Sequence, residues 1–286
     1  MSGFSIDWLS SREGADRDAR DAELLQRVRQ WLLDPAAPSA VVVDLGAGTG
    51  STLRALAEAD NAVTSEQDRS LHWRLVDQDA ALLAEARRRH GLELGKNLNK
   101  NLEVYEQDLM NVETLPLGDA RLVTASALFD LVSAEFVQRL LDEIARQNPQ
   151  QLPALYAALN YDGSTEWTPA HPLDETVLGA FNRDQQRDKG FGPALGPAAA
   201  DFSRAHCEKA GYKVYSASSP WQLGGKGSKG SKDSALVSAL IEGIGKAVAS
   251  DPAIEPAALQ DWLQFRQANA ATGTCRVGHV DLLALP

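Results

Sequence analysis

Three glycines at alternate positions follow an apolar run near residue 41. Residues 41–43 are valines, Asp44 follows them, and glycines stand at positions 46, 48 and 50. Glycine permits tight turns with positive φ, and it lets backbone N–H groups approach a ligand that any Cβ would keep away. The pattern therefore predicts a nucleotide-type cofactor loop between a strand and a helix.

The spacing excludes the two best-known phosphate-binding loops. The dinucleotide fingerprint G-x-G-x-x-G needs its third glycine at position 51, where this chain has Ser51. The P-loop needs a lysine before its Ser or Thr, whereas Gly50 is followed directly by Ser51 and Thr52. The remaining interpretations are a loop for another nucleotide-like cofactor and a purely structural turn of an α/β protein.

Residues 44–50, DLGAGTG, resemble the D-L-G-x-G-x-G loop of the class I S-adenosylmethionine-dependent methyltransferases. The resemblance implies S-adenosyl-L-methionine as the cofactor, with its amino group oriented by Asp44 through water. It also implies that the loop backbone lines the cofactor. The loop residues in that role are Gly46, Ala47, Gly48 and Gly50.

A second acidic position follows the next apolar run, residues 73–76. A carboxylate at the tip of a second strand can accept hydrogen bonds from both ribose hydroxyls. Residues 76–86 also resemble the second-strand motif of the same superfamily, which assigns Asp77 to the ribose and places Gln78 beside the cofactor. Asp79 is predicted to cap the helix that follows.

The third and fourth predicted strands end in further candidates. Residues 102–107 lead into Asp108 and Leu109. By the resemblance, Asp108 accepts a hydrogen bond from the adenine amino group and Leu109 packs on the ring. The fourth strand, residues 122–126, ends at Ser126 in the turn that faces the cofactor.

Catalytic residues are harder to assign from the sequence. A sulfonium methyl group is already activated, so its transfer depends mostly on alignment of the acceptor. A base is needed only if the acceptor must lose a proton. Three candidates are expected near the carboxyl edge of the sheet, where α/β proteins bind ligands: His171, Tyr161 and Asp130. His279, within the last predicted strand, is interpreted as a packed, hydrogen-bonded histidine.

The N-terminal segment carries charges at helical spacing. Arg12, Asp16 and Arg20 stand at i, i+4 and i+8 and would share one face of a helix. Because N-terminal segments often cover the cofactor in the methyltransferases that this chain resembles, Arg12 or Arg20 is expected to pair with its methionine carboxylate. A solvated row of ion pairs is the alternative.

Strands and helices alternate along the chain, which predicts a parallel sheet with helices on both faces. With the resemblance, the expected fold is a three-layer α/β/α Rossmann-like domain with seven strands, the last antiparallel. Residues 1–39, with a helix over 20–33, are predicted to form a lid, and residues 40–286 the methyltransferase domain. Helical insertions are expected at about 164–192 and 224–273. Within the second, the Gly/Ser/Lys-rich residues 224–232 predict a solvated connection or, alternatively, a phosphate-binding loop.

The charge and composition of the chain limit the classes of partner and the kinds of site that it can have. The net charge of −11 argues against a nucleic-acid substrate, whose binding depends on many lysines and arginines. The sequence has neither an apolar run of membrane-spanning length nor a signal peptide, so a cytoplasmic location is expected. Two cysteines are too few for a disulfide framework or a Cys-rich zinc site, and no His/Asp/Glu spacing indicates a metal.

These features favour an enzyme that transfers a methyl group from S-adenosylmethionine to a small molecule. Two alternatives stay open. One is an aminopropyl transferase that uses decarboxylated S-adenosylmethionine, and the other is a cofactor-binding regulator without catalytic activity.

Overall fold

Strands alternate with helices through most of the chain. The computed structural model describes residues 4–34, 41–58, 71–93, 101–224 and 231–286. The strands are β1 (Val41–Leu45), β2 (His72–Asp77), β3 (Leu102–Glu106), β4 (Ala120–Ser126), β5 (Ala154–Thr168), β6 (Lys213–Ser218), β7 (Trp221–Gly224) and β8 (Thr274–Leu285). The helices are α1 (Ile6–Ala19), α2 (Ala22–Leu32), α3 (Ser51–Glu58), α4 (Ala80–Glu93), α5 (Ala134–Gln147), α6 (Asp174–Gln185), α7 (Ala199–Lys209), α8 (Ser231–Val248) and α9 (Pro256–Asn269).

The strands form one sheet in the order β3-β2-β1-β4-β5-β8-β6. Strands β1 to β5 pair in parallel, and β8 lies antiparallel between β5 and β6. This confirms the predicted mostly parallel sheet with an antiparallel last strand. The short strand β7, which the sequence analysis did not predict, pairs with the first half of β8 and is an eighth strand.

Helices bury both faces of the central strands. Along β1, Val41, Val43 and Leu45 belong to one apolar layer and Val42 belongs to the other. Apolar side chains of α5 and α7 fill the first layer, and those of α2, α3 and α4 fill the second. Strands buried on both faces read as continuous apolar runs, which is why these strands could be recognised in the sequence.

The fifth strand is longer than the sequence indicates. Residues 160–163 look like a turn and predict an end after Leu159, but the strand continues to Thr168. Leu159 has a φ of +56°, and the pairing with β8 shifts register twice beyond Ala157. Such bulges bend a strand without ending it. As a result, β5, β7 and β8 form an antiparallel ribbon that extends past the carboxyl end of β4.

The predicted insertions build a second lobe on this ribbon. Helices α6, α8 and α9 pack on it around a separate apolar cluster that includes Trp221, Ile241 and Trp262. The indole N–H of Trp262 donates to Asp174 at the start of α6 over 2.8 Å. Most of the low-complexity segment, residues 225–230, lies outside the described residues.

The N-terminal segment contains two helices where the sequence predicted one. Helix α2 is the predicted one, and α1 precedes it. Since Asp16 is the only buried residue of α1, that helix has no apolar stripe that the sequence could reveal. Local caps define both starts: Ser5 accepts from the N–H of Trp8, and Asp21 accepts from the N–H of Leu24.

One buried carboxylate joins the N-terminal helices to the sheet. Asp281 of β8 is fully buried and accepts four hydrogen bonds. Two come from the backbone N–H groups of Asp21 and Leu159, at 3.1 and 2.8 Å, and two from the hydroxyls of Tyr156 and Ser219, at 3.0 and 2.7 Å. This residue therefore fixes the junction of α1 and α2, the bend of β5 and the segment between β6 and β7 around one point.

Candidate functional site

The glycine loop connects β1 to α3 in a conformation that suits glycine. Gly46, Gly48 and Gly50 have φ values of +64°, +53° and +82°. The N–H of Gly48 donates to Oδ2 of Asp77 over 2.9 Å, and the N–H of Ala47 donates to the carbonyl of Val76 over 3.1 Å. The end of β2 thus holds the loop against the carboxyl edge of the sheet.

A cavity of about 290 Å³ lies above this loop. It follows the carboxyl ends of β1, β2 and β4 and the turn after β3, which is where open α/β sheets bind ligands. Nine of the twelve residues predicted to contact the cofactor line it: Arg12, Gly46, Ala47, Gly48, Asp77, Gln78, Asp108, Leu109 and Ser126. The other three, Asp44, Gly50 and Arg20, lie behind its wall.

The two predicted acidic ligands differ in their surroundings. Asp77 is buried, and burial raises the pKa of its carboxyl although the N–H groups of Gly48 and Asp79 donate to it. Asp108 is exposed and accepts from the N–H of Met110 over 2.9 Å. Asp79 does not line the cavity; it caps α4 by accepting from the N–H groups of Ala81 and Leu82, as predicted.

Asp44 lies buried beneath the loop. Its Oδ1 accepts from the hydroxyl of Thr124 over 2.6 Å, whereas its Oδ2 has no hydrogen-bond partner among the described residues. Burial raises the pKa of Asp44 to about 7, although the nearby positive charge of Arg20 opposes that rise. This carboxyl can therefore change its charge near neutral pH.

Helix α1 covers the cavity. Phe4, Leu9, Arg12 and Asp16 contribute to its wall, and a methyl group placed on Gly48 would lie 3.2 Å from Cδ1 of Leu9. On a neighbouring face of α1, Glu13 pairs with Arg54 of α3 and Arg89 of α4. Helices α3 and α4 of the main domain therefore hold this helix over the glycine loop.

The charged row of α1 is not solvated, so that alternative is wrong. The side chains of Arg12 and Asp16 are 12% and 9% exposed and form a bidentate ion pair. Nε and Nη2 of Arg12 donate to Oδ2 and Oδ1 of Asp16 over 2.9 and 3.1 Å. The indole N–H of Trp221 also donates to Asp16 over 3.0 Å. Arg20 is buried and donates from Nη2 to the hydroxyl of Ser126 over 2.8 Å, while its Nη1 has no hydrogen-bond partner among the described residues.

The catalytic candidates do not line the cavity. His171 lies on the second lobe, with Nε2 3.2 Å from Asp261 and its ring against Phe265, so the structure does not bring it to the site. Tyr161 is buried in the ribbon and donates to Asn182 of α6 over 2.9 Å. Asp130 is buried as well, but it lies within electrostatic range of Arg12, whose charge counters the rise of its pKa to about 6 caused by burial.

Sequence reasoning missed part of the cavity wall. Lys189 and Phe191 line it from the Gly/Pro-rich segment after α6, where hydrogen bonds from the N–H groups of Gly190 and Gly192 to Asp188 shape the loop. Phe191 packs edge-on against Phe136 of α5, with ring centroids 5.1 Å apart. The segment has no periodicity that could have placed these residues at the site.

We expect Leu9→Ala to weaken binding of S-adenosylhomocysteine by roughly 1 kcal/mol, because it removes part of the apolar cover over the glycine loop. Calorimetric titration measures this change. The exposed residue Ser11 of the same helix provides the control, and Ser11→Ala should leave the affinity unchanged. Equal affinities of the Leu9→Ala variant and the wild type would show that α1 does not cover bound ligand.

The described residues contain neither a metal-binding cluster nor a membrane-spanning helix. No group of three or more His, Cys, Asp or Glu side chains is arranged to hold a metal ion in the part of the chain that the structure describes. Among the described helices, none combines the length and the apolar character needed to cross a membrane.

Comparison with known proteins gives only structural matches. The sequence matches no model of a known protein family and no curated protein sequence. Among solved structures, an O-methyltransferase family protein from Burkholderia thailandensis is 16% identical with a TM-score of 0.43; the match covers 74% of this chain and 57% of that protein. Magnesium protoporphyrin IX methyltransferase from Synechocystis PCC 6803, solved with bound S-adenosylmethionine, is 14% identical over 77% of this chain and 80% of its own, with a TM-score of 0.42.

A third match is phosphoethanolamine N-methyltransferase 2 from Haemonchus contortus, which is 12% identical with a TM-score of 0.46. That match covers 99% of this chain and 58% of the other protein. The strand order of this chain is the observation that defines its fold. That fold is a three-layer, Rossmann-like α/β/α domain, extended by an eighth strand and a helical lobe.

Proposed function

We propose that this protein is a methyltransferase that uses S-adenosylmethionine and acts on a small molecule. One observation carries the proposal: the glycine loop and the acidic residues after the next two strands, Asp77 and Asp108, line one cavity under α1. These are the positions at which the sequence resembles the class I methyltransferases. A merely structural glycine turn would not require this convergence.

The chemistry of the lining residues fits the cofactor from end to end. Asp77 can accept from the ribose hydroxyls, and Asp108 can accept from the adenine amino group while Leu109 packs on the ring. At the other end, Arg12 lines the cavity and suits a carboxylate. Behind the wall, Nη1 of Arg20 and Oδ2 of Asp44 have no hydrogen-bond partner among the described residues, and Asp44 could orient a positively charged amino group through water. Buried polar atoms without partners are rare in folded proteins, so these two atoms support a polar ligand there.

When bound, the cofactor supplies a methyl group on a positively charged sulfur, and the protein has to align an acceptor with it. The glycine loop and α1 would exclude water from the cofactor and hold it in one orientation. Asp130 lies within range of Arg12 and could accept a proton from the acceptor. Tyr161 would act as a wall of the acceptor region, and the position of His171 on the second lobe leaves it no such role.

A small acceptor fits the closed form of the site better than a polymer. Helix α1 and the segment with Lys189 and Phe191 cover the cavity, and its volume of about 290 Å³ is that of a small-molecule pocket. The net charge of −11 also opposes contact with a nucleic-acid backbone.

Binding and turnover test the proposal separately. Calorimetry with S-adenosylmethionine and S-adenosylhomocysteine should reveal binding of both compounds; if neither binds, the proposal is wrong. Incubation of the protein with a metabolite extract and methyl-labelled S-adenosylmethionine, followed by mass spectrometry, should yield a labelled small molecule. Binding without any labelled product would instead favour a regulator that senses the cofactor.

A further inference from the structure

The Arg12 guanidinium lines the cavity and lies beside a buried cluster of aromatic and polar side chains, here called the recess: Trp221, His279, Tyr161 and Asp130. Its partner is the carboxylate of Asp16, and its Cζ lies 5.1 Å from the ring centroid of Trp221. His279 packs on Trp221, the ring that Arg12 contacts, and Asp130 accepts a hydrogen bond from the backbone of Tyr161, which pairs with His279 across the ribbon. Burial raises the pKa of Asp130 and lowers that of His279, and the charge of Arg12 opposes the first shift and adds to the second. Arg12 is therefore a cation surrounded by carboxylates and aromatic rings.

The recess behind Arg12 is built from aromatic side chains of the ribbon. Trp221 packs against His279 with ring centroids 5.2 Å apart, and Tyr161 lies 6.3 Å from His279 on the same face of the sheet. The negative charges of Asp16 and Asp162 reach His279 as well. Without the guanidinium, these rings and carboxylates would surround an uncompensated negative region, which is unfavourable in a buried site.

Two buried atoms at this recess have no partner. The Nδ1 of His279 and the Oδ1 of Asp130 form no hydrogen bond among the described residues, although the two residues are only 6% and 7% exposed. Each can accept a hydrogen bond when His279 is neutral and Asp130 is ionised. The recess thus offers acceptors and aromatic faces, and the guanidinium of Arg12 is the cation that now occupies it.

We propose that this recess binds the amino group of a cationic methyl acceptor. In the absence of cofactor, the guanidinium of Arg12 occupies the recess. Arg12 would pair with the carboxylate of a bound cofactor, and its guanidinium would then leave the recess. An ammonium group can then replace it, because carboxylates and aromatic faces both attract cations. The acceptor would enter beside the methionine end of the cofactor.

Transfer to an amine also gives Asp130 a defined task. The ammonium first loses a proton to Asp130, and the nitrogen lone pair then forms a bond to the methyl carbon while the carbon–sulfur bond breaks. The electron pair of that bond stays on sulfur, and the proton passes from Asp130 to solvent. The reaction rests on the proposed function, whereas amine binding to the recess can be tested without it.

A matched set of probes tests the recess. Benzylamine is cationic at neutral pH, benzyl alcohol is neutral and benzoate is anionic, and all three have nearly the same size. In calorimetric titrations, Arg12→Ala should bind benzylamine at least about tenfold more tightly than either other probe, and adding Asp130→Asn should remove this preference. Arg17→Ala, an exposed change on the same helix, should behave as the wild type.

Titrations of the wild-type protein test the amine site and the proposed function together. It should bind benzylamine only when S-adenosylhomocysteine is present, because only then is Arg12 drawn away. If Arg12→Ala has a normal circular dichroism spectrum but binds no benzylamine, or prefers benzoate or benzyl alcohol, the inference is wrong. Arg12→Gln provides a second variant if Arg12→Ala does not fold. If S-adenosylhomocysteine does not bind, the proposed function fails, and the Arg12→Ala titrations still decide the amine site.

Discussion

Replacing Asp77 by alanine is expected to weaken binding of S-adenosylhomocysteine by about ten- to one-hundredfold. A hydrogen bond to a charged group contributes roughly 1.5–3 kcal/mol, and the carboxylate would lose its bonds to the ribose. The same change removes the acceptor for the N–H of Gly48, which lies 2.9 Å from Oδ2. The glycine loop would therefore lose its anchor to β2 together with its ligand contact.

Asp79 provides a close control for this change. It lies two residues further along the same turn but caps α4 and does not line the cavity. Asp79→Ala should lower the free energy of unfolding by about 1 kcal/mol, as other N-cap losses do, and leave cofactor affinity within twofold. If Asp77→Ala binds as tightly as the wild type, the ribose assignment is wrong; if both variants lose affinity equally, the effect belongs to the turn as a whole.

Asp44→Asn should change how stability depends on pH. Burial raises the pKa of the folded-state carboxyl to about 7, compared with 3.8 for an unperturbed Asp. Between these two pH values the folded protein keeps a proton that the unfolded chain has released, so the wild-type free energy of unfolding falls as pH rises. At about 1.4 kcal/mol per pKa unit, the fall amounts to roughly 3–4 kcal/mol.

Asparagine does not titrate, so the free energy of unfolding of Asp44→Asn should not show this decrease with rising pH. Urea unfolding of both proteins at several pH values from 4 to 8 measures the difference between them. His279, whose pKa is lowered to about 4, and Asp130, whose pKa is raised to about 6, titrate in both proteins and cancel in the difference. Parallel stability profiles would contradict the buried, protonated state of Asp44.

The same carboxyl should link cofactor binding to pH. If the ionised form of Asp44 holds the amino group of the cofactor, binding releases a proton below pH 7 and affinity rises with pH up to that value. Asp44→Asn should bind more weakly and lose this slope. An unchanged slope in the variant would assign the pH dependence to another group.

The convergence of the proposed cofactor residues on one cavity could be predicted because its signals are local. Gly46, Gly48 and Asp77 each stand directly after an apolar run, and parallel strands bring their carboxyl ends to one edge. The backbone conformation of the loop follows from glycine itself. Their placement at one edge of the sheet therefore does not depend on contacts between distant parts of the sequence.

The residues of the proposed acceptor region could not be predicted from such local signals. Trp221 and Lys189 lie in segments without periodicity, and their positions depend on how β7 and the loop after α6 pack against distant elements. His279 is packed and hydrogen-bonded, as predicted: it lies against Trp221 and bonds to the backbone of Val277. Nothing in the sequence indicates that its Nδ1 lacks a partner among the described residues. Helix α1 is indicated in the sequence only by the spacing of Arg12, Asp16 and Arg20, because Asp16 is its one buried residue.

The four hydrogen bonds of Asp281 impose an order on assembly during synthesis. Asp21 and Asp281 are 260 residues apart, so a ribosome makes the cover of the site long before the carboxylate that anchors it. Strand β8 also lies between β5 and β6, which leaves the nascent sheet unclosed until that strand emerges. A growing chain can thus form its glycine loop early but close the site only after β8 has emerged from the ribosome.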